Sequence, residues 1–142
     1  MQFVRSLEQD GQTLVGWSVR TMLLSADTSG VFTNRLKNFG CIVEQEQELF
    51  IALDSILSDP SGYGLFVIDA DSLGGLDAAR QAIRLLADIS GRLPMILVSD
   101  QCREQVFPQT RDKPTILRSP LSAVALRVGI EHALRHRTKV FA

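Results

Sequence analysis

Short apolar runs alternate with amphipathic stripes along this chain, and that alternation constrains the fold more than any other feature. Thr21-Met22-Leu23-Leu24, Cys41-Ile42-Val43, Leu65-Phe66-Val67-Ile68, Met95-Ile96-Leu97-Val98 and Thr115-Ile116-Leu117 are the runs. Nearly continuous apolar segments of this length read as strands buried on both faces. Between them, Phe32, Leu36 and Phe39 recur at helical spacing, as do Leu49, Leu53, Ile56 and Leu57, and then Leu76, Ala79, Ile83 and Leu86. Gly40, the Asp59-Pro60-Ser61-Gly62 breaker and Ser90-Gly91 supply the stops. After Pro120, Ser122 can cap a long last helix carrying Val124, Ala125, Val128 and Leu134. The segment from Gln101 to Lys113 is polar and interrupted by Pro108, so at most a short helix fits around Arg103 to Phe107. Five strands alternating with five helical segments predict repeated βα units and a parallel sheet. Right-handed crossovers then put helices on both faces. The expected class is α/β, a doubly wound five-stranded parallel sheet.

The first 20 residues fall outside that unit. Phe3-Val4 and Leu14-Val15-Gly16-Trp17 flank Glu8-Gln9-Asp10-Gly11, and the Asp-Gly pair is a hairpin signal. A two-strand arm and an unstructured tail both fit. The expected organisation is an N-terminal arm or hairpin over 1–20, the α/β domain over 21–137 and a short tail over 138–142. Trp17 either packs on the domain or anchors an interface.

Bulk properties exclude several function classes. The 142 residues are 45% hydrophobic, enough for one domain with a real core. Fifteen Lys+Arg against 16 Asp+Glu leave a net charge of -1, which gives no support to nucleic-acid or membrane attraction. No apolar run approaches the roughly 20 residues needed to span a bilayer. The start of the chain lacks the apolar core of a secretory signal, so a cytoplasmic location is expected. Cys41 and Cys102 have no CxxC spacing and read as free thiols. His132 and His136 lie four apart, and with Arg135 and Arg137 they suit the end of a helix better than a metal site.

Parallel strands bring all their carboxyl ends to one edge, where open α/β sheets place their sites. That edge collects Ser25, Ala26 and Asp27, then Asp69 and Asp71, then Ser99 and Asp100, then Arg118 and Ser119. Asp69 stands at the end of the third, most apolar run.

With these residues in order, the chain resembles a response-regulator receiver domain, the phosphoacceptor module of two-component signalling, over about Thr21 to His136. DTSGVFTNRLKNFG (Asp27 to Gly40) resembles the family's first helix and its closing glycine. LFVID, Leu65 to Asp69, resembles the third strand ending in the phosphoacceptor aspartate. GLDAAR from Gly75 resembles the start of the third helix, and PMILVS from Pro94 the fourth strand ending in a hydroxyl residue. Ser119-Pro120 falls where the family has Lys-Pro. The resemblance implies a flavodoxin-like, receiver-type strand order of 2-1-3-4-5, with the first 20 residues as an N-terminal extension, and a cis Ser119–Pro120 bond.

It also implies a chemistry. A carboxylate at the position of Asp69 accepts a phosphoryl group, an acidic pair after the first strand holds Mg²⁺, a lysine neutralises phosphoryl oxygens, and a hydroxyl at the position of Ser99 binds the group. This chain departs from that set. The acidic pair falls on Ser25 and Ala26, and the lysine on Ser119, followed by Pro120. Arg118 is a poor substitute because strand neighbours point to opposite faces. The loop proline is Leu73, and the aromatic switch position is Ile116. No cofactor is firmly implied; a weak Mg²⁺ site could draw on Asp27, Asp69 and Asp71.

Three functions compete. The first is an atypical, pseudo-receiver signalling module that is not an enzyme. It would act by protein–protein contact without efficient aspartyl phosphorylation. Its partner would be a histidine kinase or a separate output protein, with a homodimer through the fifth strand and last helix as a further possibility. The second is a working receiver phosphorylated on Asp69 by a histidine kinase. The third, a small-ligand or enzyme module, has no support: GxGxxG after the first strand, GxxxxGK[ST] and G-x-S-x-G are all absent from the sequence.

Overall fold

Each apolar run becomes a strand of one sheet. In the computed structural model, which describes residues 15–89, 92–110 and 112–141 (side chains only as far as 135), the strands are β1 (Arg20–Leu24), β2 (Ile42–Glu46), β3 (Leu65–Asp69), β4 (Met95–Ser99) and β5 (Thr115–Arg118). All pair in parallel, in the order β2-β1-β3-β4-β5, as the resemblance implied. The helices are α1 (Val31–Asn38), α2 (Leu49–Ser58), α3 (Leu76–Leu85) and α4 (Ala123–Phe141), with short 3₁₀ turns at Ala70–Leu73 and Ala87–Ile89.

The period-2 alternation of a strand divides the core into two layers. Phe66 and Ile68 of β3 face one way, with Met22, Leu24, Met95 and Leu97, against Ala52, Leu53 and Ile56 of α2 and Ala79 and Ala82 of α3. Leu65 and Val67 face the other way, with Leu23, Ile96, Val98 and Leu117, against Leu36 of α1 and Leu126, Ile130 and Ala133 of α4. Leu65 to Ile68 are fully buried. Two-sided cover is what a parallel sheet of such strands requires.

The structure corrects several expectations. There are four α-helices among the described residues, not five helical segments. The β4–β5 connection carries no helix. Val106 instead forms an antiparallel bridge to Ile116, with N–H···O distances of 2.8 Å in both directions. Pro108 and the lack of apolar anchors at helical spacing explain why extended backbone wins there. The bridge also covers the outer edge of β5. Strand β2 runs on to Glu46, beyond the apolar run that announced it.

In α4 the buried stripe is Leu126, Ile130 and Ala133, whereas Val124 and Val128 are exposed, as is Leu57 of α2. Ser122 does cap α4, accepting the Ala125 N–H at 3.0 Å. The helix continues through Phe141, so residues 138–141 extend it and do not form a tail. Gly40 closes α1 with φ 92°, and the Ser119–Pro120 bond is cis. Trp17 is two-thirds exposed and does not pack into the core. The expected hairpin around Asp10-Gly11, the Ser90-Gly91 stop and the His136 and Arg137 side chains lie outside what is described.

Candidate functional site

Register brings Ser25 and Asp69 together. Leu24 pairs with Ile68, so the next residues of β1 and β3 meet beyond the ladder. Ser25 is fully buried, and its hydroxyl donates to Asp69 Oδ2 at 2.8 Å. The same hydroxyl accepts the Asp27 N–H at 3.2 Å, which leaves its proton directed at the carboxylate. Ser99 repeats the device at the end of β4. It is fully buried, accepts the Gln101 N–H at 3.0 Å and donates to Asp71 Oδ1 at 3.1 Å. Both are local hydroxyl turns, in which a serine bonds the amide two residues on.

A third serine ties the loops. Ser72 donates to the Asp69 carbonyl at 2.8 Å and accepts the Ala26 N–H at 2.9 Å. It was not singled out by sequence reasoning. The signal that could have found it is a serine three residues past a strand-end aspartate, within reach of that residue's carbonyl. Gln101 was missed too. Its Oε1 accepts the Leu76 N–H at 3.0 Å, serving α3 where Gly75 offers no side-chain cap. Gly74 and Gly75 both have positive φ, at 93° and 126°, a conformation that favours glycine. A Cβ on Gly75 would also lie 3.1 Å from Gln101 Oε1.

The three carboxylates proposed for a metal do not converge. Asp27 is exposed and turns to Ser29, accepting its N–H and its hydroxyl at 2.9 Å each. Asp69 is engaged by Ser25. Asp71 accepts from Ser99 and also from the Asp100 N–H, at 3.0 Å to Oδ1 and 3.1 Å to Oδ2. Among the described residues no group of three or more His, Cys, Asp or Glu gathers to hold a metal. With Ser25 and Ala26 in place of acids, the residues present do not fit Mg²⁺ as the resemblance would require.

Cations are equally displaced. Arg118 is exposed and reaches back to the Arg103 carbonyl, as strand alternation predicts. The ion pairs among the described residues are Arg20–Glu44 and Arg20–Asp59, at the opposite end of the strands, and neither involves Asp69 or Asp71. His132 Nε2 meets the Pro108 carbonyl oxygen at 2.7 Å, and its ring packs edge-on to Phe107.

The two site carboxyls shift in opposite directions. Burial pushes Asp69 above its ordinary value near 3.8, the Ser25 and Ser72 hydroxyls only partly oppose this, and the Asp71 charge adds to it. Asp71 is also penalised by burial, but the Asp100 N–H and the Ser119 and Ser99 hydroxyls outweigh that and hold it below the ordinary value. The linkage signs follow. Asp69 contributes stability that is present below the unfolded-chain value and is lost as pH rises through its raised folded value. Asp71 contributes stability present above the ordinary range and lost as pH falls through its lowered folded value. Asp69→Asn is therefore expected to raise stability at pH 7, because the amide oxygen can still accept from Ser25 and a half-buried charge is gone. Urea unfolding at pH 7 and pH 3 checks this. The gain should shrink towards pH 3, and a loss at pH 7 would contradict the electrostatics described.

No protein-family model matches the chain, and no curated protein does. Solved structures share its fold. A response regulator receiver domain protein from Clostridium thermocellum matches with a TM-score of 0.65 and 15% identity, over 87% of this chain and 99% of that one. The signal receiver domain of a Luxo repressor protein from Vibrio parahaemolyticus matches with a TM-score of 0.64 and 14% identity, over 87% and 96%. The anti-anti-sigma factor PhyR from Bartonella quintana matches with a TM-score of 0.59 and 17% identity, over 99% of this chain and 58% of its own. Identities this low speak to the fold, which is that of receiver domains. Among the described residues no helix is long and apolar enough to cross a membrane.

Proposed function

We propose that this chain is a pseudo-receiver, a signalling module that acts by protein contact and whose state does not depend on aspartyl phosphate. The observation that carries the reading is the bonding of Asp69. Its carboxylate receives a serine hydroxyl where phosphotransfer would need a second carboxylate for a divalent cation, and no ion pair reaches it among the described residues. Two anions approaching each other need positive charge between them, and a single stabilising donor of that kind is typically worth about 10²–10³ in rate. A working phosphoacceptor is the weaker reading, since neither Asp27 nor Asp71 is directed towards Asp69.

The contact surface in this reading is the side of the domain around β5 and α4. Val106, Val124 and Val128 are exposed there. The Ile116 N–H and C=O of β5 are already taken by Val106, so a partner or second copy would bind through side chains and not by adding a strand there. A histidine kinase or a separate output protein would fit this kind of surface. Titration of the ¹⁵N-labelled chain with beryllofluoride and Mg²⁺ tests the reading. The Ser99 and Asp100 amide signals should stay in place at millimolar Mg²⁺. A saturable shift that Asp69→Asn abolishes would favour the working receiver.

A further inference from the structure

The two edges of the sheet are finished differently. At β5 the Ile116 N–H and C=O are taken by Val106, which closes that edge. At β2 the Ile42 N–H donates to the Val19 carbonyl at 2.9 Å, and the Glu46 carbonyl accepts the Ser25 N–H at 3.0 Å. Ile42, Glu44 and Glu46 therefore turn their main chain towards β1. Successive residues of a strand point these groups in opposite directions, so Val43 and Gln45 present theirs outward. Among the described residues nothing is bonded to them. An open row of this kind is a template for another strand.

The two ends of this edge are unlike. At the entry to β2, Ile42 is exposed. Trp17, exposed as well, rides on a turn held there by bonds from the Gly16 N–H to the Phe39 carbonyl at 2.8 Å and from the Ser18 N–H to the Gly40 carbonyl at 3.0 Å. Lys37 is exposed at the same end, where its carbonyl accepts the Gly40 N–H at 2.9 Å. At the exit stand Glu46 and the exposed Glu48, followed by exposed Phe50 and Ile51 at the start of α2. One end is apolar and cationic, the other apolar and anionic. An antiparallel two-fold sets each end against its complement on a second copy. With the axis at Glu44, Val43 of one copy faces Gln45 of the other, and such a pair can exchange both main-chain hydrogen bonds. Glu44 then meets its twin, but its carboxylate is already held by Arg20 Nε at 2.5 Å and by the Tyr63 hydroxyl at 3.2 Å.

We propose that the outer edge of β2 is a self-association surface, on which a second copy of this chain lays its own β2 antiparallel and joins the two sheets into one. The surface is separate from the β5 and α4 side, and its use does not depend on whether Asp69 carries phosphate.

The test is main-chain amide hydrogen exchange in the full ¹⁵N-labelled chain from micromolar to millimolar concentration, with sedimentation equilibrium over the same range. The chain should pass from monomer to dimer. The Val43 and Gln45 amides should exchange at least about tenfold more slowly in the dimer, while the Ile116 amide, bonded in either state, changes far less. Lys37→Glu should weaken the dimer at least about fivefold, and Lys37→Glu combined with Glu48→Lys should restore it.

A chain that stays monomeric at millimolar concentration would overturn the proposal. So would a dimer whose Val43 and Gln45 amides remain unprotected, because its interface then lies elsewhere, as on the β5 and α4 side. A dimer indifferent to Lys37→Glu, or one that the charge exchange fails to restore, would overturn the antiparallel arrangement.

Discussion

A chain carrying Ser25→Asp, Asp71→Ala and Ser119→Lys together should accept phosphate from acetyl phosphate in the presence of Mg²⁺, at least about 10²-fold faster than wild type. The Ser25 hydroxyl stands 2.8 Å from Asp69 Oδ2, so an aspartate there puts two carboxylates side by side at the end of β1 and β3. Without a cation that pair repels, and the variant should be less stable than wild type in chelator. With Mg²⁺ the pair becomes a binding site, and the unfolding temperature should rise as the metal is added. Lysine at position 119 brings an ammonium to the end of β5, next to the Ser99 hydroxyl that now lacks its resident carboxylate. Removing Asp71 matters, because the new lysine would otherwise pair with it. A variant that folds and gains thermal stability from Mg²⁺ but remains unphosphorylated would show that added charge alone does not make Asp69 a phosphoacceptor.

The second large effect concerns the scaffold beneath the site. Phe66 is fully buried in the central strand and packs between the sheet and the helices of one layer. Phe66→Ala should cost about 3–5 kcal/mol, a large share of the roughly 5–15 kcal/mol that holds a domain folded. Phe50, on α2, is two-thirds exposed, and its replacement by alanine should change stability by less than about 0.5 kcal/mol. Urea unfolding of the two variants beside wild type makes the comparison. A loss below about 1 kcal/mol for Phe66→Ala would mean that the two-layer core is wrong.

The scaffold was legible because burial on both faces leaves a strong mark. Leu65-Phe66-Val67-Ile68 and Met95-Ile96-Leu97-Val98 could hardly be anything but inner strands, and they are fully or nearly fully buried. The end of β2 was less legible, since Glu44, Gln45 and Glu46 lie on an edge strand where polar side chains are tolerated. The β4–β5 connection hid its structure. One bridge through Val106 has no periodicity to detect, and Phe107 packs beside it against the core.

At the site, sequence placed Ser25, Asp69, Asp71 and Ser99 on one edge but could not say which hydroxyl meets which carboxylate. That depends on register and on side-chain direction past the strand ends, as does the bridging by Ser72. Asp27, Asp69 and Asp71 do not gather into one group, and the reason is local. Asp27 closes its own turn with Ser29, and Asp71 finds better donors across the sheet.

The most direct test of the central claim is the intact mass of the purified chain after incubation with acetyl phosphate and millimolar Mg²⁺. An ammonium-free, hydroxyl-bonded Asp69 should leave the mass unchanged while a working receiver treated in parallel gains one phosphate. A prompt, Mg²⁺-dependent gain of one phosphate that disappears in Asp69→Asn would contradict it.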